Sequence, residues 1–289
     1  MSERVYETKT KTIVLDSLTN KIKLWCFGDV HRFTKSCDEE RWKWFLKSAK
    51  ETHDSYTYYL GLGDYTDFAS TNEQKALIKT AGLHKATIDD FDDMVKKRNR
   101  VLAAEMSFMK PNILGLIDGN HGWMFQNGTS STADLADRLN TEYLGWLCHY
   151  TVKVNFSNSL KVACFDIVAC HGRAGGKTAG NSVNQLDDMR DIFPVADIYC
   201  MGHDHQRLAR PVSVLVPSWD GEGNRYMKQK RQFLCRSGSF KKGYAPGTAS
   251  YEIERLLRPA DLGALQLEIG FHRDHTEGDR VILDIKAIL

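Results

Sequence analysis

The chain has 289 residues, 42% hydrophobic and 26% charged, with a formal net charge of +2. That length allows one large core or two small ones, and a charge so near zero excludes selection of a partner by bulk electrostatics. Seven scattered cysteines with no C-x-x-C pair exclude a disulfide scaffold and fit a reducing, cytoplasmic setting.

The opening segment MSERVYETKTKT lacks the apolar stretch of a signal peptide. No apolar run is long enough to cross a bilayer, so no membrane partner is expected. Ile22 to Phe27 then reads as a strand ending in GDVH. Residues 38–50 carry Trp42, Phe45 and Leu46 at helical spacing, and Tyr56 to Leu62 forms a strand ending in GDYTD. Residues 87–109 read as a long helix opened by Thr87 and Asp90 as a capping pair. Its apolar stripe is Phe91, Met94, Leu102 and Met106, and its VKKRNR segment reads as a solvated face. Asn112 to Ile117 is a strand ending in DGNHG, and residues 132–147 are predicted helical through Leu135, Leu139, Tyr143 and Leu147. Val152 to Phe156 and the run from Leu160 flank SNS, a hairpin turn. Ala163 to Cys170 ends in HGRAGG, residues 184–193 form a short helix, and Asp197 to Met201 ends in GHDH. Strands alternating with helices predict an α/β fold, in which ligands gather beyond the carboxyl ends of the strands.

Those ends carry Asp29 and His31, Asp64 and Asp67, Asn120 and His121, His171, then His203 and His205. Each fragment alone has a bland reading. His203 and His205 could be turn residues, although i and i+2 in an extended chain would face one spot. Jointly they are informative, because collecting unpaired polar groups at one edge of a core is costly without a function.

In this order DVH, GDYTD, GNHG, CHG and GHDH resemble the motifs of the calcineurin-like metallophosphoesterase superfamily, over residues 29–205. The resemblance implies a single domain spanning 1–289, a four-layer α/β/β/α sandwich of two mixed β-sheets flanked by helices. It leaves a helical insertion at about 71–110 and a β-rich completion at about 206–289. It implies two divalent metal ions, Mn, Fe, Zn or Ni with Mn favoured. One would be held by Asp29, His31, Asp64 and His205, the other by Asp64, Asn120, His171 and His203. Asp64 would bridge them, and His121 would stand beside the substrate phosphate. His121, Asp64 and Asn120 are thus the catalytic candidates. The chemistry agrees: two cations bridged by a short carboxylate neutralise a phosphate and acidify water, and an imidazolium can protonate a leaving oxygen. The family usually has an acid after the GNH histidine, where this chain has Gly122. Asp67, Asp118 or Asp204 would have to orient His121 instead.

Other segments yield weaker expectations. HGRAGGKTAGN has one residue too few between its glycines for a Walker A loop. It is either a glycine turn or a substrate loop presenting Arg173 and Lys177. Residues 228–242 combine six Lys and Arg with Phe233 and Phe240. They could contact nucleic acid, but an edge strand is the preferred reading. His272, Asp274 and His275 are expected in a surface loop, His53, His84 and His149 as structural or exposed, and Ser237 and Ser239 lack a G-x-S-x-G setting. Residues 71–86 are expected to form a lid or rim at the metal mouth. The predicted activity is phosphodiester hydrolysis on nucleic acid or nucleotides. The alternatives are a phosphomonoesterase and a metal-binding interaction module impaired by Gly122.

Overall fold

The computed structural model describes residues 5–68, 76–77, 85–173, 179–220, 222–244, 246–247, 251–274 and 280–288. Its strands are β1 Tyr6–Leu15, β2 Ile22–Phe27, β3 Thr57–Gly61, β4 Ile113–Leu116, β5 Leu147–Phe156, β6 Ser159–Cys170, β7 Ile198–Met201, β8 Arg207–Trp219, β9 Arg225–Ser237, β10 Leu265–Asp274 and β11 Arg280–Ile288. The helices are α1 Glu39–Glu51, α2 Lys85–Glu105, α3 Ser131–Leu139, α4 Ala179–Ile192 and α5 Tyr251–Arg255, with a 3₁₀ turn at Ser107–Asn112. One sheet has the order β1-β5-β6-β7-β9-β8, the other β11-β10-β2-β3-β4. Both mix parallel and antiparallel pairs.

The two sheets bury their facing sides against each other through Leu15, Leu24, Cys26, Val152, Ile167, Cys200, Leu267 and their neighbours. On the outer face of the five-stranded sheet, α1, the end of α2, and α3 pack through Trp42, Phe45, Leu102, Met106 and Leu135. On the outer face of the six-stranded sheet, α4 packs through Leu186 and Met189 against Val168, Tyr199 and Leu234. This is the predicted α/β/β/α layering. Trp42 is fully buried among Phe27, Phe45 and Phe240, and its indole Nε1 donates to Glu105 Oε2 at 2.8 Å. Trp42→Ala should therefore cost about 3–5 kcal/mol in chemical denaturation. A loss below about 1 kcal/mol would mean that this layer adds little to stability.

Four sequence expectations need correction. The helix predicted over 132–147 ends at Leu139, because Asn140 adopts the left-handed conformation (φ 51°) as a C-cap. Tyr143 then forms a bridge to Leu116, and Leu147 begins β5. Thr87 and Asp90 cannot cap α2, because they lie inside it. The 228–242 segment is the strand β9 and its exit, with Phe233 and Phe240 in the core and Arg236 fully buried. Lys230, Lys241 and Lys242 are ion-paired with Asp197, Glu252 and Asp38. The segment is second from the edge, beside β8. His272 lies on β10 rather than in a loop, while His84 and His275 fall outside the described residues. So does most of the expected 71–86 lid. His53 bonds the Tyr59 hydroxyl at 3.1 Å, and His149 stacks on Phe193, both structural roles. All seven cysteines are free thiols. No helix among the described residues is long and apolar enough to cross a membrane.

Candidate metal centre

The parallel strands β2, β3 and β4 end side by side, as do β6 and β7 in the other sheet. The five motifs leave these ends and converge. Tight backbone geometry forces the convergence: Asp29, His31, Asp64, His203 and His205 all have positive φ, between 46° and 72°. Each costs on the order of 1 kcal/mol for a residue with a Cβ, and such strain persists where the surroundings impose it. His203 and His205 therefore do not share a face by strand alternation, as the sequence suggested. They lie past the end of β7, and the left-handed turn sends each to a different cluster.

The first cluster is Asp29, His31 and His205. Asp29 Oδ1 lies 3.4 Å from His205 Nε2 and 3.9 Å from His31 Nε2. Asp29 Oδ2 is occupied, accepting from the His203 amide at 2.8 Å. His31 Nδ1 is bound to Asp67 Oδ2 at 3.1 Å, which directs its Nε2 inward. Asp29 Oδ1 and His31 Nε2 are buried and without hydrogen-bond partners. Two orphaned buried ligand atoms facing one another are costly unless a cation lies between them.

The second cluster is Asp64, His171 and His203, joined by Asn120. His171 Nδ1 is 2.7 Å from the Leu62 carbonyl, so it is the protonated nitrogen, and Nε2 faces inward. Asn120 Oδ1 is 2.8 Å from both His171 Nε2 and His203 Nδ1, and those two nitrogens are 3.1 Å apart. Three acceptor-capable atoms meeting this closely need a cation or a proton among them. Burial disfavours the charged form of His171, yet Asp64 and Asp29 hold its pKa up at about 9. Burial and the neighbouring His171 push His203 down to about 4.

Asp64 stands between the clusters. Its Oδ2 is 3.2 Å from His171 Nε2 and 3.9 Å from His31 Nε2, so one oxygen faces both. Its Oδ1 accepts from the His121 amide at 2.9 Å, which fixes the carboxylate plane. Burial opposes its charge, but His171, His31 and His121 hold it well below the usual carboxylate range. A Cβ on Gly119 would overlap Asp64 Oδ1, and one on Gly63 would stand 2.5 Å from His171 Nδ1. Both glycines are therefore required by close approach to ligand side chains.

The acid missing at Gly122 is supplied by Asp67. Its Oδ1 lies 2.9 Å from His121 Nδ1 while its Oδ2 holds His31. Asp118 is instead engaged by Tyr143, and Asp204 faces Arg236. Burial works against the imidazolium of His121, but the Asp67 bond and the charges of Asp64 and Asp67 outweigh it and raise its pKa. Asp67→Asn should loosen both histidines. The expected result is weaker metal retention, by about 10–100-fold, together with slower turnover, read by metal analysis and kinetics. Unchanged values for both would show that neither ring depends on this bond.

Sequence reasoning missed the support behind the ligands. Ser239 Oγ and the Phe240 amide both donate to the Asp29 carbonyl, at 3.0 and 2.9 Å. Arg236 Nη1 donates to the Gly202 carbonyl at 2.6 Å. The available signal was the G-S pair closing β9, where Gly238 has φ 81°. Arg173 is exposed and paired with Asp188 on α4 at 3.0 Å, and Lys177 lies outside the described residues.

The order of the motifs along the chain resembles that of the calcineurin-like metallophosphoesterases. No family model matches the chain, and no curated protein does. Solved structures are similar at low identity. Vps29 from Chaetomium thermophilum is 9% identical, with 94% of this chain and 97% of that one covered and a TM-score of 0.35. A conserved uncharacterized protein from Streptococcus pneumoniae TIGR4, described as a predicted phosphoesterase, is 12% identical over 93% and 99%, with a TM-score of 0.31. GAP50, described as the anchor in the inner membrane complex of Plasmodium, is 12% identical over 93% and 89%, at 0.35. Matches this distant carry nothing about activity. The metallophosphoesterase likeness of this chain rests on its own motifs and their geometry.

Proposed function

We infer that the chain is a binuclear metal-dependent phosphoesterase, acting as a phosphodiesterase on nucleic acid or nucleotides. The observation that carries this is the single Asp64 oxygen facing two clusters, one of which holds two orphaned buried ligand atoms. Asp29, His31, Asp64 and His205 would hold one divalent cation, and Asp64, Asn120, His171 and His203 the other. The mixed nitrogen and oxygen donors suit Mn, Fe, Zn or Ni, with Mn the first choice. When bound, such a pair supplies charge neutralisation at phosphate and activates water at neutral pH.

The remaining work belongs to the chain. Two carboxylates, Asp29 and Asp64, leave a pair of divalent cations with net positive charge, which favours an anionic ester. Asn120 contributes a neutral oxygen and does not offset that attraction. With its Nδ1 committed to Asp67, His121 keeps Nε2 for the substrate, and its side chain is 26% exposed. An imidazolium there can donate from Nε2 to the leaving oxygen. The test is turnover of bis- and mono-p-nitrophenyl phosphate with added manganese. Faster hydrolysis of the diester supports the reading, and faster hydrolysis of the monoester replaces it with a phosphomonoesterase. Bound metal with no turnover of any phosphoester replaces it with a binding module.

A further inference from the structure

We propose that the outer part of the β8–β9 hairpin is an arm that grips duplex nucleic acid beside the metal centre, an inference that rests on the phosphodiesterase reading. The two strands pair along 13 residues each, from Arg207↔Ser237 to Trp219↔Arg225. β7 reaches β9 only at Phe233 to Arg236. Beyond that point no third strand among the described residues pairs with the hairpin, and one of its two faces is exposed. Leu215, Trp219 and Met227 on it are 66%, 57% and 55% exposed. An isolated ribbon is marginally stable in water, and large exposed apolar groups are a liability. Retaining both points to a surface that is covered in use.

Charge identifies the occupant. Residues 207–231 hold six cations (Arg207, Arg210, Arg225, Lys228, Lys230, Arg231) and two acids (Asp220, Glu222), in a chain whose net charge is only +2. At the root, Lys230 is paired with Asp197 and Arg210 lies 3.5 Å from Asp187. At the tip, the Arg225 guanidinium lies over the Trp219 ring at 5.9 Å, while Arg231, one pair nearer the root than Lys230, stands exposed opposite Ser213. Cross-strand pairs put cations on both faces, Arg225 and Arg231 on one and Lys228 on the other. A second copy adding a strand to the β8 edge would meet Pro211 and Pro217, which protect such edges. A basic two-stranded ribbon fits the major groove, about 12 Å wide.

The arm is also rooted at the chemistry, since β8 begins two residues after His205. From there to Trp219 an extended strand covers roughly 40 Å, or about a dozen base pairs at ~3.4 Å each. A mononucleotide cannot touch both ends. The arm therefore selects polymers.

The experiment uses the full chain and a labelled DNA duplex longer than the arm, with binding read by anisotropy at several salt concentrations. Trp219→Ala, Arg225→Ala and Arg231→Ala are combined in one variant. Duplex affinity should fall at least about tenfold and the salt slope by about 2, one for each lost cation. Metal content and turnover of bis-p-nitrophenyl phosphate should stay unchanged, which also reports an intact fold. Undiminished duplex binding by the variant, or no binding by the parent chain, overturns the proposal. So does a variant altered only in sedimentation mass, which would make the arm a contact between copies. Failure of the phosphodiesterase reading looks different: no turnover of any ester, with arm-dependent duplex binding intact.

Discussion

Asp64→Asn is expected to lower the occupancy of both metal subsites and abolish turnover with it. One Asp64 oxygen faces His171 at 3.2 Å and His31 at 3.9 Å, so this one side chain serves both clusters at once. The amide would present either a neutral oxygen or two N–H groups toward cations. Partners one shell farther out typically contribute 10–100-fold in metal affinity, so losing a shared ligand should exceed about 100-fold. Activity should fall in parallel, because the charge opposite the phosphate goes with the metals. Metal analysis after dialysis and steady-state kinetics read the two effects separately. A variant with two metals per chain and full turnover would remove the bridging role.

His121→Ala should behave in the opposite way toward metal. The ring is bonded to Asp67 and packs edge-on against the His31 ring at 5.0 Å, but with Nδ1 committed to Asp67 it holds neither proposed cation, so both metals should be retained. Turnover should drop by roughly 10²–10⁴-fold, the usual scale for a positioned acid or base. The loss should shrink for a diester with a good leaving group, since that oxygen needs a proton least. Loss of metal from this variant would instead make His121 a ligand.

The contrast between these variants shows what the sequence could and could not reveal. Strand ends were legible because β2, β3, β4 and β7 are short apolar runs that stop at glycine or aspartate. Ligand identity followed from motif order. The path of the chain between ligands was not legible. Five positive-φ residues steer Asp29, His31, Asp64, His203 and His205, and no local rule places ordinary side chains in that conformation. The substitute for the acid at Gly122 was narrowed to three aspartates, but only tertiary geometry selects Asp67. Leu139 to Leu147 kept a helical apolar spacing that a left-handed Asn140 overrides. β1 was overlooked although YETKTKTIVL alternates, because its half-exposed threonines and lysines hide the period in an apolar count. β8 was overlooked as well, because Pro211 and Pro217 break the run while half-buried valines alternate with the exposed Leu215 and Trp219.

The most direct measurement is anomalous diffraction from crystals of the manganese-loaded chain. The account predicts two peaks per chain, one among Asp29, His31 and His205 and one among Asn120, His171 and His203, with Asp64 between them. A single peak, a peak elsewhere, or none would contradict it.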